Sequence, residues 1–92
     1  MSMKKDAIDM QLHMAVKALA ILQGEIKCNL EELIKKAKLL QEKEEEGEEA
    51  NHLLLEMISD NLNELVDLFK QRKNLRNQIK NLEKTQIDLI KV

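Results

Sequence analysis

Proline, tryptophan and tyrosine are absent from this chain, and phenylalanine occurs once, at Phe69. Aromatic rings hide roughly 150–250 Å² each when buried. Without them the only core available is a seam of Leu and Ile. Valine and threonine are scarce as well, which removes residues that favour strands. Cys28 is the only cysteine, so no disulfide closes within the chain and a reducing interior is the expected setting. No stretch approaches the run of about 20 apolar residues that a membrane-spanning helix needs. The segment Met1–Asp9 is polar and has no signal-peptide core, so cytoplasm or nucleus is the expected compartment. A formal net charge of −2 gives no whole-molecule attraction to nucleic acid or anionic lipid.

What is present is helical. Ala, Glu, Lys, Leu and Arg supply 49 of the 92 residues, the composition of a coiled coil or long helix. A hydrophobic residue returns every seventh place at Leu12, Leu19, Ile26, Leu33 and Leu40, then at Leu54, Leu68, Leu75, Leu82 and Leu89; the series misses only at Gly47 and Asn61. In the first half, Ile8, Leu12, Ala15, Leu19, Leu22, Ile26, Leu30, Leu33, Ala37 and Leu40 follow steps of three and four along one helix face. In the second, Leu54, Ile58, Asn61, Leu65, Leu68, Arg72, Leu75, Ile79, Leu82, Gln86 and Leu89 alternate steps of four and three, the average of 3.5 of a coiled coil.

Between these halves lies a stretch from Gln41 to His52 without one large apolar side chain. Its Glu42/Glu46, Glu44/Glu48 and Glu45/Glu49 pairs repel at helical spacing. Gly47 costs about 1 kcal/mol more than alanine in a helix interior. Glutamates oppose the dipole at a helix C-terminus and suit the first turn of the next helix. The chain therefore reads as one helical unit over residues 1–92, with helix 1 over about 6–43, an acidic turn over about 44–48 and helix 2 over about 48–91. The fold class is all-α: an antiparallel two-helix coiled-coil hairpin that assembles into a three- or four-helix bundle. The alternative is a single long helix in a parallel coiled coil, since the seven-residue phase runs through Gly47 without a skip. Two hairpin registers compete. Centring the turn on Gly47 faces Leu12 with Leu82, Leu19 with Leu75, Ile26 with Leu68 and Leu40 with Leu54, but also Leu33 with Asn61 and Leu22 with Arg72. Sliding by one heptad tightens the turn and faces Asn29 with Ile58.

The interaction seam consists of Leu12, Leu19, Ile26, Leu33, Leu40, Leu54, Ile58, Leu65, Leu68, Leu75, Ile79, Leu82 and Leu89. Beside it, helix 1 carries a second strip, Met10, Met14, Ala18 and Ile21, and helix 2 carries Leu55, Leu62, Val66 and Phe69. Two faces per helix exceed what one hairpin covers, so these strips read as docking surfaces for further helices. Asn29, Asn61 and Arg72 are polar residues in or beside the seam, where they fix register or are simply tolerated at its edge. Lys70, Arg72, Lys73, Arg76, Lys80 and Lys84 make part of helix 2 basic. No aromatics interleave them to stack on bases, and they read as a flank that selects pairing direction.

His13, His52 and Cys28 do not share helical turns, so no metal site is expected; Cys28 reads as a small buried hydrophobe. There is no Gly-rich phosphate loop, nucleophile elbow or histidine beside a serine or cysteine, and neither cofactor nor catalysis is expected. The expected function is a non-enzymatic protein–protein interaction or assembly subunit. Its expected partner is itself, as a homo-oligomer, or another helical subunit, with no nucleic acid or membrane among its partners. The alternative is a small helical chaperone or regulator that masks a partner's amphipathic helix. Leu68 is in the seam under either topology. Leu68→Asp is expected to destabilise the helices by at least about 3 kcal/mol, read as far-UV circular dichroism against urea; an unchanged midpoint would remove Leu68 from the seam.

Overall fold

A computed structural model describes residues 3–47, 49 and 51–91. It is an all-α helical hairpin: α1 (Met3–Glu45) and α2 (His52–Lys91) pack against each other, and the described residues contain no strand. The uninterrupted helix is excluded because the backbone turns at Gly47, whose φ of 76° lies in the left-handed region. There the Gly47 amide donates to the Glu44 carbonyl at 3.1 Å and the Glu46 amide to the Glu42 carbonyl at 3.0 Å. This is the usual use of glycine just past a helix end, where it turns the chain while serving carbonyls that have lost their helical partners.

Both helices differ from the sequence expectation at their ends. α1 starts at Met3 rather than near Asp6 and runs on to Glu45, because the acidic run tolerates another half-turn before the glycine. The expected start of the second helix, Glu48, lies outside the described residues, and α2 begins at His52. Asn51 sets that boundary. Its side-chain oxygen accepts the Leu53 amide at 2.9 Å, and its carbonyl accepts the Leu55 amide at 3.0 Å. That is the N-cap arrangement, with asparagine among the most favoured residues. The first turn of α2 contains no acidic residue, so capping by Asn51, and not glutamates on the dipole, starts the helix.

The chain divides into two compact units. One comprises Gly24–Phe69, the other Met1–Gln23 with Lys70–Val92. In the Gly24–Phe69 unit, Ile26, Leu54, Asn61, Leu65 and Leu68 are buried, and Asn29, Leu33, Lys36, Leu40, Lys43 and Ile58 are half-buried. In the other, Ala15 and Leu22 are buried, with Ile8, Asp9, Leu12, Leu19, Arg72, Leu75, Ile79, Leu82, Gln86 and Leu89 half-buried. Within α2 the covered positions alternate steps of four and three without a break, and α1 does the same apart from Asp9, half-buried next to Ile8. Such spacing keeps one narrow stripe against one neighbouring helix.

Leu30 and Ala37 are exposed, while Asn29 and Lys36 occupy the seam. Strict alternation sends every residue one place off the stripe about 100° around the helix, and the phase set by Ile26, Leu33 and Leu40 prevails over the hydrophobicity of Leu30. Cys28 is exposed too, correcting the expectation of a buried thiol: it precedes the seam position Asn29 by one residue.

The two glycines yield opposite expectations. A Cβ at either would meet nothing within 4 Å, so backbone conformation alone decides. Gly24→Ala, in the interior of α1, is expected to stabilise the hairpin by about 1 kcal/mol. Gly47→Ala is expected to destabilise it by about 1–2 kcal/mol, the cost of a left-handed L-residue. Urea midpoints of the two variants test this; shifts of the same sign would contradict the turn geometry.

Candidate interaction surface

Which exposed residues share a face depends on the register of the two helices, and a buried polar cluster sets it. Asn61, only 3% exposed, donates through Nδ2 to the Asn29 carbonyl at 3.0 Å, with a longer approach of 3.4 Å to Asn29 Oδ1. Its Oδ1 accepts from Lys36 Nζ at 2.6 Å. Asn29 Nδ2 in turn donates to the Glu25 carbonyl at 3.1 Å. No buried side-chain nitrogen or oxygen among the described residues lacks a partner. Burial of an amide is tolerated here because both of its ends are used.

These bonds hold Asn61 between Asn29 and Lys36, opposite Leu33, which is the register centred on Gly47. A one-heptad slide would carry Asn61 about 10 Å along α1, out of reach of Lys36 and against Ile26. In the other unit, Gln86 Nε2 donates to Asp9 Oδ1 at 2.7 Å, a pairing that belongs to the same register. The amino-acid pattern left the choice between registers open because leucines pair acceptably in both; the side-chain hydrogen bonds make the choice.

With the register known, the flanks follow. In antiparallel helices, residues that follow equivalent seam positions lie on the same side. In the Gly24–Phe69 unit, Leu30 and Ala37 follow Asn29 and Lys36 on α1, while Leu55, Leu62 and Phe69 follow Leu54, Asn61 and Leu68 on α2. Ile34 and Val66 lie further out on that side. All seven are exposed, Leu62 by 47% and Val66 by 50%. Both helices thus contribute to one apolar flank. The opposite flank, formed by residues that precede the seam, is mixed: Glu25 and Glu32 on α1 and Asp60, Glu64 and Asp67 on α2 share it with exposed Leu39, Leu53 and Met57.

The second unit is arranged differently. Met14, Ala18 and Ile21 precede the seam positions Ala15, Leu19 and Leu22, with Met10 further along the helix; all are exposed, Met14 by 63%. Their companions on α2 on that side are Gln71, Asn74, Gln78 and Asn81, so this strip belongs to one helix only. The other flank carries Lys73, Arg76 and Lys80.

The structure therefore places all thirteen seam residues in covered positions, Ile26, Leu54, Leu65 and Leu68 as buried and the rest as half-buried. It places the seven strip residues at the surface, three of them in one unit and Leu55, Leu62, Val66 and Phe69 in the other. Leu30, Ile34 and Ala37, which complete the two-helix flank, are not among the strip residues; Leu30 and Ala37 fall in the apolar series of the first half, and the strict three-four phase separates them from the seam. Among the described residues, no group of His, Cys, Asp and Glu is arranged to hold a metal ion, and no helix is long and apolar enough to cross a membrane. Compared with protein-family models, curated proteins and solved structures, the chain matches none.

Replacing the polar cluster should separate register from stability. Asn61→Leu extends the aliphatic seam and is expected to keep or raise the urea midpoint while admitting a second register. The measurement is the number of amide resonances per seam residue: doubling supports a register role for Asn61, and a single set excludes it.

Proposed function

We propose that this protein is a non-enzymatic assembly subunit that works through helix-on-helix association of the coiled-coil and bundle type. The observation that carries the proposal is the apolar flank of the Gly24–Phe69 unit, to which both helices contribute exposed Leu, Ile, Val and Phe side chains. Single exposed hydrophobic residues are ordinary; a contiguous row on a hairpin marks a contact surface. Helices lay such rows into grooves formed by neighbouring helices, with residues at steps of three, four and seven as anchors.

Surface area supports the same function. The chain exposes 7395 Å², whereas a compact monomer of its mass would expose about 5,500 Å². The difference exceeds the roughly 800 Å² per partner that a stable interface covers. A cytoplasmic or nuclear setting fits the free thiol at Cys28.

Leu62→Glu combined with Val66→Glu is expected to leave helicity unchanged and to shift the urea midpoint by no more than about 0.5 kcal/mol, because neither residue is in the seam. Size-exclusion chromatography of extracts from cells that naturally make the protein provides the functional readout. The native chain is expected to elute well above its 10.7 kDa, and the double variant as a lone hairpin. A native chain that elutes alone in such extracts overturns the proposal.

A further inference from the structure

The apolar flank of the Gly24–Phe69 unit repeats the spacing of the seam. Leu30, Ile34 and Ala37 on α1, and Leu62, Val66 and Phe69 on α2, each advance by four residues and then by three. Each helix thus carries a second coiled-coil stripe beside the first, displaced by one residue and so by about 100° around its axis. A helix in a four-helix bundle has two neighbours close to a right angle apart and needs two such stripes. Both second stripes open on the same side of this unit, so two further helices complete it. The other flank positions in α1 and α2 hold Gln41 and Ser59, which are uncharged, and Lys27 and Glu44, which follow the covered residues Ile26 and Lys43 at opposite ends of the α1 stripe. The unit as a whole holds thirteen acids against five bases, yet Glu44 is the only acid at these positions.

We infer that the same flank of a second copy of this chain covers it, the two Gly24–Phe69 units meeting antiparallel as a closed four-helix bundle; the inference rests on the assembly role proposed above. The charges on the flank itself select that occupant. An antiparallel two-fold pair brings Lys27 of each copy within about a turn of Glu44 of the other, with Ile34 and Leu62 near the axis. A parallel pair would instead crowd Glu42, Glu44, Glu45 and Glu46 of both copies at one end. Area agrees. Gly24–Glu45 is about 33 Å long and two packed helices are about 20 Å across, so the flank offers roughly 650 Å² in plan. A specific interface covers about 600–1,000 Å² per partner, which one further copy supplies. The remaining exposed apolar residues do not offer this match. Leu39, Leu53 and Met57 lie on the opposite flank among six acids and one base, Lys35, so self-pairing there would appose like charge. In the other unit, Val16 shares its level with Arg76 and Lys80, Ile87 and Ile90 lie nearer the chain ends, and the methionine strip is on one helix only, so no two-helix apolar stripe forms.

Sedimentation equilibrium of the purified full chain tests this, with circular dichroism verifying that every variant stays helical. At high micromolar concentration the native chain is expected at twice its 10.7 kDa and no larger. Leu62→Glu combined with Val66→Glu is expected to leave it at 10.7 kDa. Leu53→Glu combined with Met57→Glu, on the opposite flank, is expected to leave the dimer intact. Lys27→Glu and Glu44→Lys are each expected to weaken the dimer about tenfold, since each reversal sets like charges together at two symmetric places. Mixed in equal amounts, these two single variants are expected to associate as tightly as the native chain, because each then meets opposite charge on the other. A dimer that survives Leu62→Glu with Val66→Glu overturns the inference, as does one lost on Leu53→Glu with Met57→Glu. So do charge reversals without effect, a mixture no tighter than its components, or growth beyond two copies. A pure native chain that is monomeric, yet elutes in a large assembly from its own cells, overturns the second copy while leaving the assembly role; monomeric behaviour in both settings removes both.

Discussion

Two helices that meet along a single stripe can bury only those residues whose spacing averages 3.5, and every other feature of this molecule adjusts to that restriction. Apart from Asp9, the covered positions in α1 and in α2 keep the alternation of three and four, even where it brings Asn29, Lys36, Asn61, Arg72 and Gln86 into the seam and leaves Leu30, Ile34 and Val66 in water. Phase outranks hydrophobicity at individual positions because a residue cannot leave the stripe without shifting its neighbours. With almost no aromatic area to deepen the core, no described side chain is completely buried. Stability is spread thinly along the contact.

The polar residues in the seam acquire meaning within this geometry. Leucines repeated every seven residues fit one another in several alignments, so an aliphatic seam alone does not specify one. Asn61 does so by requiring two partners at separate places on α1: the Asn29 carbonyl on one side and the Lys36 ammonium on the other. Satisfying an amide at both ends is a condition that few alignments meet, whereas an apolar contact tolerates many. The register in turn decides that Leu30 and Ala37 share a flank with Leu55 and Leu62, and hence that one side of the Gly24–Phe69 unit is apolar while the other mixes acids with Leu39, Leu53 and Met57.

Much of this was legible from spacing. The all-α class, the two helices, the break at Gly47 and the seam of leucines and isoleucines are long, periodic signals, and they correspond to the covered positions of the structure. Short-range chemistry was harder to read. The N-cap at Asn51 was passed over in favour of the more conspicuous glutamates, although asparagine just ahead of an apolar run is itself a start signal. Leu30 and Ala37 share one apolar series with the seam residues of the first half because a run of apolar residues blurs the difference between a period of 3.5 and one of 3.6. The residues that make up the apolar flank become identifiable only with the register, since they belong to different helices and are distant in sequence.

The seam is also unequal along its length. The Gly24–Phe69 unit, which contains the turn and the Asn61 cluster, has five buried residues, and the unit that carries the chain ends has two, one of them an alanine. Breathing of the hairpin is therefore concentrated toward its termini, while the half around the turn stays closed for longer. The apolar flank is carried by the firmer half, so its exposed side chains stand on backbone that seldom opens. The methionine strip is carried by the looser half, on backbone that opens more often.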